Sequence, residues 1–80
     1  MNAHIRVMLK STVLDPQGQA IQHALASQGY SGAKDVRQGK YFLVRFDGLT
    51  REQAREQAER LAREILTNPV IEDFTCEISE

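Results

Sequence analysis

Eighty residues, ten of them Lys or Arg and eleven Asp or Glu for a formal net charge of -1, predict one small domain over residues 1–80, near the size at which a core barely stabilises itself. The balanced charge argues against a nucleic-acid partner, whose backbone is bound by clustered cations, and a single cysteine, Cys76, excludes an internal disulfide or a cysteine-rich zinc site. MNAHIRVMLK holds no signal-type apolar segment and no later run reaches membrane-spanning length, so the expected chain is cytoplasmic and without membrane contact.

Ile5, Val7 and Leu9 alternate with His4, Arg6, Met8 and Lys10, the period of a half-buried first strand. Asp15 is placed to cap a helix whose first residue is Pro16. In that helix Ile21, Ala24 and Leu25 follow helical spacing, and Gly29 stops it. Asp35-Val36-Arg37 predicts a short strand, turned back at Gln38-Gly39 into the next one, Tyr41 to Phe46. Phe42, Val44 and Phe46 share one face of that strand, and Tyr41, Leu43 and Arg45 the other. Thr50 with Gln53 forms a capping box for a second helix, whose apolar stripe is Ala54, Ala58, Leu61, Ala62, Ile65 and Leu66. Asn68-Pro69 ends it. A last strand, from about Ile71 to Ile78, turns Phe74, Cys76 and Ile78 to one side.

The order is β-α-β-β-α-β, the split βαβ pattern of ferredoxin-like α+β folds. It predicts a four-stranded antiparallel sheet with both helices on one face. The other face would carry His4, Arg6, Met8, Tyr41, Leu43 and Arg45, too apolar for plain solvent surface and too polar for a core. We read it as a self-association face; the alternative is a mixed face left wet, since scattered exposed apolar groups are ordinary.

No enzyme site assembles from these residues. His4 and His23 lack a partner spacing for a metal or a general base, and Ser11 and Thr12 lack a positioned base. The interleaved Glu and Arg of residues 51–64 form a solvated helix face with weak ion pairs. Cys76 alternates with core positions and reads as a small hydrophobe. GKYFLVRF, residues 39–46, has the strand position of an RNA-recognition signature, but Leu43 and Arg6 stand where stacking rings are required. Gly18, just inside the first helix, has two readings. It opens the helix start to an anion or to a partner's carbonyl oxygens, or it packs against a neighbouring strand.

Three stretches together, VLDPQG (residues 13–18), VRQGK (36–40) and NPVIEDF (68–74), resemble the small, S-type subunit of phosphoribosylformylglycinamidine synthase. The resemblance extends over almost the whole chain. It implies a required but non-catalytic subunit of an ATP-dependent carbon–nitrogen ligase that uses glutamine as amido donor in purine biosynthesis. The partners implied are a glutaminase subunit, which releases ammonia, and a large synthetase subunit, in which ATP and magnesium would act; no cofactor is implied in this chain. A homodimer or homotetramer is implied as well. The matched positions are Asp15, Pro16, Gln17, Gly18, Arg37, Gly39, Lys40, Asn68, Pro69 and Glu72, placed by the resemblance at subunit contacts. Lys10-Ser11-Thr12 departs from the family's usual lysine- or proline-rich turn. On this basis Gly18→Ala would leave the domain folded and impair assembly. The reading from another class is a stand-alone amino-acid-sensing module of the ACT type, which shares the strand order and an Asp, Pro and Gly at the first helix start.

Overall fold

The computed structural model describes all of residues 1–80. Three strands, β1 (Asn2–Leu9), β2 (Gly39–Arg45) and β3 (Glu72–Ser79), form one antiparallel sheet in the order β2-β1-β3. Ile5 sits opposite Phe42 on one side and Cys76 on the other, and Val7 lies between Lys40 and Phe74. Period-two alternation therefore sends Ala3, Ile5, Val7 and Ile78 into the core, all at most 2 % exposed.

Helix α2 (Arg51–Leu61) starts at the expected capping box: the Gln53 N–H donates to the Thr50 hydroxyl, and the Gln53 side chain accepts from the Thr50 N–H. It lies on β3 and β1. The contact is made by Ala54, Ala58 and Ala62, all fully buried, so small side chains let the helix backbone approach the sheet closely. Its last turn, Ala62–Leu66, widens into a π-helix, closed by a hydrogen bond from the Thr67 hydroxyl to the Ala62 carbonyl. The wider turn displaces the expected stripe. Ile65 is turned to solvent at 76 % exposure, while Leu66 packs inward.

The four-stranded expectation is corrected. Residues 33–38, which include Asp35-Val36-Arg37, form no strand and carry neither turn nor bend. No hairpin exists at Gln38-Gly39; the chain runs straight into β2. Nor do both helices cover one face. Helix α1 (Pro16–Ser27) makes no extensive contact with any strand, and Gly18 is its one buried residue. Gly29, at φ +94°, ends it as expected, and the Gln22 side chain donates to the Ala33 carbonyl of the returning segment. Helix α1 and residues 28–38 thus form an arm projecting from the sheet. The radius of gyration is 16.0 Å, against about 12 Å for a compact chain of this length.

Candidate functional site

The arm meets the sheet at one junction, and there the three sequence stretches converge. Asp15 caps α1 by accepting from the Gly18 N–H at 2.9 Å, and its other carboxylate oxygen accepts from the Gln38 N–H at 2.9 Å. One carboxylate so ties the helix start to the returning strand. Arg37 sends its guanidinium the opposite way, donating to the carbonyls of Lys10 (2.9 Å) and Val13 (3.0 Å). The Lys10 N–H donates to the Ile71 carbonyl, and its ammonium pairs with Asp73 at 2.6 Å. On the helix-bearing side of the sheet, Lys40 pairs with Glu72 at 3.3 Å, and Glu72 also accepts from the Asn68 N–H at 2.7 Å. Asn68 accepts from the Val70 N–H, an Asx-type turn that carries the chain past Pro69.

A shallow cleft of about 470 Å³ lies over this junction, lined in part by Asp15, Pro16, Gln17, Gly39, Lys40 and Glu72. Gly18 and Arg37 stand behind it. Asn68 reaches it through Glu72, and Pro69 borders a neighbouring cleft with Lys10 and Arg63. Local pattern did not single out Lys10 or Val36 as members of the junction. Lys10 does lie in the stretch that departs from the family pattern, but Val36 contributes only its carbonyl, and no side-chain signal could reveal that.

That carbonyl corrects the reading of Gly18. A Cβ added there would lie 2.1 Å from the Val36 oxygen and 2.8 Å from an Asp15 carboxylate oxygen. The close neighbour is the chain's own backbone, so Gly18→Ala damages the fold itself and cannot act on assembly alone. Gly39 is fixed in the same way, its absent Cβ falling 2.4 Å from the Val7 carbonyl.

The junction's charges are committed to structure. The N–H groups of Gln38 and Gly18, with Arg37 nearby, hold the Asp15 carboxyl below its ordinary 3.8. The Asn68 N–H and Lys40 hold Glu72 below its ordinary 4.5. Carboxylates held so far below neutral pH are poor general bases, and the arrangement braces backbone segments. A depressed folded-state pKa stabilises the fold above the unfolded value and ceases to do so as pH falls through the folded one. Stability should therefore be flat from neutrality down to about 4.5 and then decline, and Asp15→Asn should flatten part of that decline. Urea midpoints measured across the acid range check this; an identical acid limb in Asp15→Asn would count against it.

The expected open face is present. His4 stacks on Tyr41 with ring centroids 5.9 Å apart and hydrogen-bonds its hydroxyl, while the Arg6 guanidinium lies 5.4 Å from the same ring. Met8, Tyr41 and Leu43 are 39 %, 55 % and 59 % exposed, and Arg45 pairs with Asp47 in the open. Cys76 is on the opposite, helix-bearing face, where burial, with Glu59 nearby, pushes its thiol above 9.0. No three His, Cys, Asp or Glu side chains are grouped to hold a metal ion, and no helix is long and apolar enough to cross a membrane.

Fold and junction define a small α+β module whose distinctive residues act as braces between an arm and a sheet. The chain belongs to the PurS family: the family model described as phosphoribosylformylglycinamidine (FGAM) synthase matches residues 2–80. Among curated relatives, the PurS subunit of that synthase from Bacillus subtilis is 44 % identical over 79 residues, covering 95 % of this chain and 89 % of the relative. The Mycobacterium leprae subunit is 44 % identical over 73 residues, covering 91 % and 89 %. Among solved structures, Methanocaldococcus jannaschii PurS superposes with a TM-score of 0.88 at 30 % identity, covering 99 % of this chain and 95 % of that one. A chain in the PurLQS structure from Thermotoga maritima gives 0.87 at 29 % identity, covering 95 % and 93 %. The amino-acid-sensing alternative is thereby set aside.

Proposed function

We propose that this chain is the non-catalytic bridging subunit of a glutamine- and ATP-dependent phosphoribosylformylglycinamidine synthase, acting in the cytoplasm. It docks a glutaminase subunit on a large synthetase subunit, so that ammonia released from glutamine reaches the amide activated by ATP without escaping to water. The synthetase subunit supplies the ATP and magnesium chemistry. The observation that carries the reading is the likeness, over 95 % of the chain, to a chain of the assembled PurLQS structure. The braced junction fits it: a bridge transmits geometry only if its own segments are fixed, and Asp15, Arg37 and Glu72 are hydrogen-bonded to backbone groups that fix them.

The exposed parts of the matched stretches, Pro16, Gln17, Lys40, Asn68 and Pro69, serve as contacts with the larger subunits. The Arg6, Met8, Tyr41, Leu43 and Arg45 face serves self-association, its exposed apolar side chains rimmed by charge as interfaces commonly are. Reconstitution with the matching glutaminase and synthetase tests the reading. Leaving this chain out should abolish glutamine-driven amidine synthesis and spare turnover driven by added ammonia. Full glutamine-driven turnover in its absence would end the proposal.

A further inference from the structure

Strand β3 borders the sheet on the side away from β2 and bonds only to β1. Along an antiparallel pair, residues that exchange both bonds with their neighbour alternate with residues whose N–H and C=O point away. Two contacts fix the phase for β3. The Lys10 N–H donates inward to the Ile71 carbonyl, and the Ile78 carbonyl faces outward, where it accepts from the Arg51 guanidinium at 2.8 Å. Asp73, Thr75 and Glu77 therefore bond to β1, while Phe74, Cys76 and Ile78 turn their N–H groups outward, with the Phe74 and Cys76 carbonyls. None of these groups has another backbone partner. Edge strands are ordinarily blunted by a proline, a lysine, a bulge or unpaired charge. The eight residues of β3 contain no Pro, Gly or Lys and pair with β1 without interruption. Their carboxylates are already answered, Glu72 by Lys40, Asp73 by Lys10 and Glu77 by Arg6.

A row of charge runs over this bare edge on the helix-bearing side. Arg51 holds Ile78, Arg55 and Glu59 lie beside Cys76, and Arg63 shares a cleft of about 370 Å³ with Phe74 and Thr67. These four residues recur at every fourth position, which places them on one flank of the helix. Arg55 and Arg63 are exposed, and neither forms an ion pair within the chain. We infer that the outer edge of β3 receives an extended, acidic segment of one of the two larger subunits, added as a strand with alternate carboxylates turned up to Arg55 and Arg63. Assigning the segment to those subunits rests on the bridging reading; its acidic, extended character rests on the edge and the arginines alone. In strand addition the main-chain bonds give affinity and the alternate side chains give specificity, and both halves are present here. A second copy of β3 fits poorly. It would turn Phe74, Cys76 and Ile78 to that side, and its Glu72 is held by Lys40 and the Asn68 N–H, so it brings nothing to set against Arg55.

Amide exchange of the whole chain, alone and then mixed with the matching synthetase or the matching glutaminase, tests this. With one of the two, exchange at Phe74 and Cys76 should slow by about tenfold or more, and Thr75 and Glu77, already bonded to β1, should change less. Arg55→Gln with Arg63→Gln should weaken that complex by about tenfold or more. Arg60→Gln, on the other flank of the helix beside Leu61 and Ile65, should leave it within about twofold. Protection of Phe74 and Cys76 in the chain alone would give the edge to a second copy and overturn the inference. So would equal losses from the two sets of arginine changes. Edge and bridge fail separately. A complex that restores glutamine-driven turnover while those amides stay open ends the edge inference and leaves the bridging role. Protected amides in a complex whose turnover does not need this chain end the bridging role and leave the edge standing, and the absence of any complex ends both.

Discussion

Gly18→Ala is expected to destabilise the isolated domain strongly. Helix propensity alone argues the other way, since Ala in place of Gly gains up to about 1 kcal/mol inside a helix. Position and neighbours reverse the sign. The new methyl would lie 2.1 Å from the Val36 carbonyl oxygen, a backbone atom that cannot rotate aside. Either α1 lifts off its cap or the 33–38 segment moves, and each route breaks a hydrogen bond of Asp15. Overpacking of this kind costs about 3 kcal/mol, against a total of roughly 4–12 kcal/mol for a chain of this length. The melting temperature should fall by on the order of 15 °C. Gly32→Ala is the control, because no atom lies within 4 Å of its added Cβ and its backbone is not left-handed; it should melt near the wild type. If Gly18→Ala melts with the control, the close approach is not a structural requirement and the helix start is open to a partner.

What the sequence made legible and what it hid divide on physical lines. Signals complete within a few residues were readable. The alternation in β1, β2 and β3 needs only a two-sided sheet, and the Thr50–Gln53 box and Gly29 mark their helix ends without reference to anything distant. The missing strand is different. Asp35-Val36-Arg37 has strand character, but a strand exists only when a partner accepts its bonds, and no local pattern says whether that partner lies in the same chain. The outward direction of α1 rests on Arg37 reaching Lys10 and Val13 and on Gln38 reaching Asp15. Those are contacts between stretches more than twenty residues apart. Ile65 shows a subtler loss, because its helical spacing was correct for an α-helix and a single π-turn rotated it into solvent. The site behaved likewise. The resemblance marks the three matched stretches, but their meeting at one end of the sheet, with Asp15, Arg37 and Glu72 turned toward the chain's own backbone, is a tertiary feature that no local pattern encodes.

Arg37→Leu is the second change expected to have a large effect, and it probes what those charges accomplish. Leucine keeps part of the side-chain bulk and removes the donor, leaving the Lys10 and Val13 carbonyls without their guanidinium. Hydrogen bonds from a charged donor contribute about 1.5–3 kcal/mol each; with both acceptors partly open to water, the pair should be worth about 3 kcal/mol. The loss should be local before it is global. The residues freed first are 10–18, the link between sheet and arm, whereas β1 and β3 remain held by Ile5, Val7 and Ile78 beneath α2. Amide exchange should therefore quicken at Val13, Gly18 and Gln38 well beyond the change at the β1–β3 ladder. The acid limb should shift as well: Arg37 helps depress the Asp15 pKa, so without it Asp15 protonates at a higher pH and stability begins to fall sooner. Arg37→Lys retains the charge but not the planar fork that serves two acceptors, and should recover the acid limb more fully than the exchange protection. Uniformly faster exchange across the sheet, with no excess at the junction, would show that Arg37 contributes to general stability and does not fix the direction of the arm.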